Sequence, residues 1–201
     1  DEFRVSKGIA RWTANFTPPT SEYTLNNQVV TSSAQSKFGG SSALFNGGGD
    51  YLSLADSGDW NFGSGDFTID FWVRLNSLPP NNKQFSIITQ QATVGGDVWD
   101  IELKNSSGVY SWQARIQNTP DEIILSANTA ITTGTWYHVA WVRNANTHTL
   151  YQDGIALGSA VNPVSFKDYD SPLRIGIYVD AYSFSLDGYL DEFRISKGIA
   201  R

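Results

Sequence analysis

A chain of 201 residues with a net charge of −6 and no cysteine has room for one large domain and excludes several chemistries. Without cysteine there is no disulfide framework, thiolate zinc site or cysteine nucleophile, and a domain of this size buries roughly 70% of its unfolded surface without such a staple. With only 14 Lys and Arg there is no basic footprint for nucleic acid, and no apolar run reaches membrane-crossing length.

The chain opens with DEFRVSKGIAR, Asp1 to Arg11, and ten of these eleven letters return as DEFRISKGIAR, Asp191 to Arg201. The one change, Val5 to Ile195, keeps a β-branched apolar residue. Residues 1–22 read as the tail and last strand of a preceding repeat, or as a strand-exchange segment, with the domain itself over 23–201. No signal-peptide pattern opens the sequence and no methionine occurs even at position 1, so it reads as a piece of a longer protein. Its wealth of Gly, Ser, Thr, Asn and aromatic residues fits a surface protein.

The period along the chain is two. NGGGD, Asn46 to Asp50, is a sharp turn, because glycine tolerates positive φ. In FTIDFWVRL the residues Phe67, Ile69, Phe71, Val73 and Leu75 share one face and Thr68, Asp70, Trp72 and Arg74 the other, as in a half-buried strand. Prolines in SLPPNNK stop that strand, since proline donates nothing to a ladder. TWYHVAWVR is apolar on both faces from Trp136 to Val142 and predicts a central strand with Trp136 and Trp141 in the core. TLYQDGIAL predicts a hairpin turning at Asp153-Gly154. LRIGIYV, Leu173 to Val179, alternates again, and in GYLDEFRI the alternation sets Asp191 on the face of Phe193 and Ile195. No convincing amphipathic helix appears. The expected fold is all-β: two antiparallel sheets packed face to face, a jelly-roll sandwich.

Four ordered stretches, AQSKFGGSSALFNGGGDYLSL, FGSGDFTIDFWVRLNSLP, TGTWYHVAWVRNANTHTLYQDGIALGSA and GYLDEFRISKGIAR, resemble the laminin-G-like branch of the concanavalin-A-like lectin and glucanase superfamily. The resemblance covers about Ala34 to Arg201. It implies a concanavalin-A-like jelly roll, but two features depart from it. The tail WTANFTPPTSEY, Trp12 to Tyr23, commonly follows the final strand in such domains and here precedes everything else. The apolar opening strand with its Asp-Gly is replaced by TLNNQVVTSS, Thr24 to Ser33.

Glucanases of that superfamily carry E-x-D-x-E on one strand, so that two carboxyl groups flank the glycosidic bond. DVWDIEL, Asp97 to Leu103, supplies Asp100 and Glu102 on one face, but Val98 stands where the first carboxylate belongs. Catalysis is therefore not expected, and both acids read as ordinary outward strand residues. His138 and His148 have no activated serine in view and read as structural. An inward Asp191 would need hydrogen-bond donors or a cation, and calcium is the hard ion for carboxylate and carbonyl oxygens. Related domains often hold a structural calcium near this strand, so Asp191 with Asp50 and Asn46 from the glycine turn is the expected metal set.

Sugars stack on aromatic faces while polar side chains hold their hydroxyls. Trp99, Trp112, Tyr178, Asp180 and Tyr182 are the expected rim site for a glycan. Two sequons begin at Asn15 and Asn105. The sequence thus predicts a non-catalytic module binding a glycan or cell-surface polysaccharide, one unit of a tandem-repeat extracellular adhesin or of a phage tail or fibre protein, placed outside the cell or on a virion. Neighbouring copies of the domain are expected partners, and nucleic acid and membrane insertion are not. The alternative is a self-associating structural tile without ligand, and a glycoside hydrolase is a disfavoured third.

Overall fold

Period-two alternation becomes two seven-stranded sheets in the computed structural model, which describes residues 24–26, 29–91, 96–118, 121–178 and 184–201. The strands are β1 (Thr24–Asn26), β2 (Val30–Ser32), β3 (Ser42–Asn46), β4 (Tyr51–Leu54), β5 (Phe67–Leu75), β6 (Gln84–Gln91) and β7 (Val98–Ser106). They continue with β8 (Val109–Asn118), β9 (Asp121–Asn128), β10 (Trp136–Asn144), β11 (Thr147–Gln152), β12 (Ile155–Val161), β13 (Leu173–Ile175) and β14 (Asp187–Lys197). The first sheet has the order β1-β4-β13-β6-β7-β8-β9 and the second β12-β11-β10-β5-β14-β3-β2, with antiparallel pairing throughout. A 3₁₀ turn at Gly58–Trp60 is capped by the Ser57 hydroxyl, and no described helix is long and apolar enough to cross a membrane.

The core lies between the sheets. Phe67, Ile69, Phe71, Val73 and Leu75 of β5 are all fully buried, each such side chain contributing about 1.5–3 kcal/mol. They meet Trp141 of β10 and Trp99, Ile101 and Trp112 of the first sheet. Phe67 and Trp141 pack edge to face at 5.2 Å, a geometry that favours aromatic pairs. Trp136 instead lies half-buried beside Arg74 and Tyr189 on the outer face, because it sits opposite Arg74 in the ladder. Buried Arg143 donates from Nε and Nη1 to the carbonyls of Ala145 and Gly63, each at 2.9 Å, while its Nη2 finds no partner among the described residues.

β11 and β12 turn at Asp153 and Gly154, both with positive φ, so the Asp-Gly hairpin forms as the sequence predicts. β13 is shorter than expected. Gly176 takes φ +94°, and a Cβ there would lie 2.4 Å from the ring of buried Phe45. The chain bends at this glycine to let Phe45 into the core, so the strand stops at Ile175.

Candidate functional site

The outer face of the first sheet carries a row of polar side chains across five strands. The pairing register aligns Ser53 of β4, Arg174 of β13, Thr89 of β6, Asp100 of β7 and Arg115 of β8. A parallel row runs from Ser86 through Glu102 to Gln113 and Ser126. Side chains opposite one another on one face sit about 4.5–5.5 Å apart, so these groups are neighbours.

Asp100 is fully buried. Arg115 donates to it from both Nη2 and Nε, the latter at 3.4 Å, and also reaches the Tyr178 hydroxyl at 3.4 Å. The guanidinium carbon stands 5.8 Å from the centre of the Tyr178 ring, within cation–π range. Phe184 packs edge-on against that ring at 6.0 Å. Burial pushes the Asp100 carboxyl upward while Arg115 pulls against it. Glu102 is pushed up to about 7, first by burial and then by the charge of Asp100. Burial also raises the Tyr178 phenol.

Several hydrogen-bonding atoms here are shielded from solvent and find no partner among the described residues: Ser86 Oγ, Thr89 Oγ1, Gln91 Oε1 and one oxygen of Glu102. Unsatisfied buried polar atoms are costly and cluster where a structure keeps groups for another purpose. Chemically the face offers a guanidinium held in place by a buried carboxylate, a phenol ring beside it, and hydroxyl, amide and carboxyl groups in rows. It lacks the third carboxylate of a glucanase strand, since Val98 occupies that place.

The tryptophans expected at the rim are elsewhere. Trp99 and Trp112 are fully buried in the core, as their strands turn Asp100 and Arg115 outward and the alternate residues inward. Their indole N–H groups donate to Gln90 and Gln152 at 3.0 and 2.8 Å. Tyr178 does join the polar face, and Asp180 and Tyr182 lie outside the described residues. Asp100 and Glu102 are buried rather than ordinary outward residues. Arg115 went unnoticed, although a signal existed. Ser107-Gly108, both at positive φ, is a two-residue turn between Ser106 and Val109, which places Arg115 opposite Asp100. Of the histidines, His148 is buried among Phe67 and Trp141, while His138 lies on the outer face of the second sheet, 3.5 Å from Asp70.

The expected calcium set does not assemble. The ladder of β14 on β5 shifts register between Asp191 and Arg194, where Glu192 adopts φ +50°. This bulge inserts one residue, so Asp191 stands opposite outward Trp72, while Phe193 and Ile195 turn inward. Asp191 therefore leaves the face that motivated a cation, and its oxygens accept the amides of Lys37, Phe38 and Glu192 at 2.7, 3.0 and 2.9 Å. Asp50 accepts the amide of Asn46 at 3.0 Å, and the Asn46 side chain accepts that of Gly48 at 2.6 Å. Asn46 lies opposite Asp187, so at the usual strand rise Asp191 is roughly 13 Å further along β14. These three residues do not form one ligand set, and no cluster of three or more His, Asp or Glu suited to a metal occurs among the described residues.

Comparison with known proteins bears on this site. The family model described as the concanavalin A-like lectin/glucanases superfamily matches residues 46–199. No curated protein sequence matches. Among solved structures, the binding domain of Paraclostridial Mosquitocidal Protein 1 is similar at 18% identity and a TM-score of 0.68, over 90% of this chain and 45% of that one. Domain 4 of an extracellular GH43 arabinanase from Geobacillus stearothermophilus, solved with arabinotriose, is similar at 17% identity and a TM-score of 0.65, over 88% and 78%. Tailspike protein 2 of a bacteriophage of Escherichia coli O157:H7 gives 14% identity and a TM-score of 0.62, over 91% and 26%. These likenesses establish a shared fold, and the chain spans less than half of the first and about a quarter of the last.

Proposed function

This chain belongs to the concanavalin A-like lectin/glucanases superfamily, and we propose that it is a non-catalytic carbohydrate-binding module whose ligand lies on the outer face of the first sheet. The observation that carries the reading is the Arg115 guanidinium, fixed by buried Asp100 beside the Tyr178 ring. A buried ion pair is a poor source of stability, but it makes a rigid donor that loses little freedom when a ligand binds. Sugars need such donors next to an aromatic face. The arabinotriose bound to the similar arabinanase domain supports a sugar as the ligand class.

Binding through held donors and one ring is weak for a single unit, so the module works as part of a larger extracellular or virion surface protein in which repetition adds avidity. Immobilised polysaccharides, arabinan first, test the reading. The chain is expected to be retained, and Tyr178→Ala and Arg115→Gln to lose retention while staying folded. Retention unaffected by both substitutions overturns the assignment of this face.

A further inference from the structure

Among the described residues the sandwich is open along one edge of β14. Asp187–Leu190 pair with β3, whereas among the described residues Arg194–Lys197 pair with β5 alone. Beside that bare edge a cavity of about 470 Å³ opens between the sheets. Its walls are apolar: Leu52, Leu54 and Ile175 from the first sheet, and Ala43, Phe193 and Ile195 from the second. Five of these six pack only partly buried against the core, and Val30 at the cavity is 47% exposed. The strands nearest the gap, β1 and β2, are three residues each.

We propose that residues 1–7 of this chain close the gap, adding as a strand along the bare edge of β14 with Phe3 and Val5 turned into the cavity and Glu2 and Arg4 turned out. The gap has two needs. Its walls call for apolar side chains at every second position, and its edge leaves backbone N–H and C=O groups that require partners. A small apolar ligand meets only the first need, while a strand with alternating apolar residues meets both.

Residues 1–7 have that pattern, since they repeat the letters of β14, whose Phe193 and Ile195 already line the cavity. The place of β14 itself is taken, so its twin needs a different edge. The connection is long enough: 17 residues from Lys7 to Thr24 span up to roughly 56 Å when extended. β1, the first described strand after that connection, pairs with β4, the strand that supplies Leu52 and Leu54.

Amide hydrogen exchange on the full chain tests this. The amides of residues 193–197 are expected to be protected, and Phe3→Asp with Val5→Asp to speed their exchange at least tenfold while β5 and β10 keep theirs. The milder pair Phe3→Ala and Val5→Ala should act in the same direction, and the outward pair Glu2→Gln and Arg4→Gln should leave exchange unchanged. Equal exchange in the unaltered chain and the Asp pair, or an equal effect of the outward pair, overturns the proposal. So does protection that appears only in a dimer on light scattering, which would give the cavity to a second copy.

Discussion

Glu102→Gln should remove a pH dependence of stability that the fold creates. In the unfolded chain Glu102 ionises near its ordinary 4.5, whereas in the folded chain burial beside Asp100 holds the proton to about 7. Between these values the folded state binds more protons than the unfolded, so stability falls as pH rises through this window and is level outside it. A gap of about 2.5 pH units at about 1.4 kcal/mol each gives a loss on the order of 3 kcal/mol from pH 4.5 to 7. The charge of Asp100 adds to the burial that raises Glu102, so this loss belongs to the pair. Urea unfolding of both proteins from pH 5 to 8 provides the measurement. The difference between them should favour the glutamine variant increasingly from pH 5 to about 7 and level off toward pH 8, while contributions common to both cancel. Parallel curves, or a wild type that gains on the variant as pH rises, would refute a buried, proton-holding Glu102.

His148 should set the acid limb. Burial and then the charge of Arg143 lower its pKa to about 4, so stability drops as pH falls from about 6.5 toward 4, and His148→Leu should flatten that limb in the same urea series. Arg115→Ala leaves Asp100 buried without its partner and should cost about 3–5 kcal/mol at neutral pH, read from the shift in urea midpoint at constant slope. Asp191→Ala takes the carboxylate acceptor from the amides of Lys37, Phe38 and Glu192 and should cost about 1–3 kcal/mol, equally in calcium and in chelator by thermal unfolding. A calcium-dependent cost would restore Asp191 as a ligand. Gly176→Ala meets both a positive φ and the Phe45 ring and should lower the thermal midpoint by many degrees.

Several features follow from the sequence alone because their causes are local. Alternation of side chains across a strand made Phe67 to Leu75 the inward face of β5, and Asp153-Gly154 fixed the hairpin through its positive φ angles. Four ordered motifs sufficed for the family. Over DVWDIEL the alternation showed that Asp100 and Glu102 share a face, but not that both faces of β7 are buried. With Trp99 and Asp100 equally hidden, local polarity carries no sign of which is core and which is site.

What only the tertiary structure decided comes from contacts between distant parts of the chain. Arg115 meets Asp100 through the register of β7 on β8, and Tyr178 reaches them from 63 residues further on. One inserted residue at Glu192 reverses the face of Asp191, because a side-chain period of two turns any single-residue shift into the opposite side of the sheet. The repeated DEFR-SKGIAR letters show the same limit. The sequence shows one alternating pattern twice, and only the sheets place the second copy, as β14 between β5 and β3.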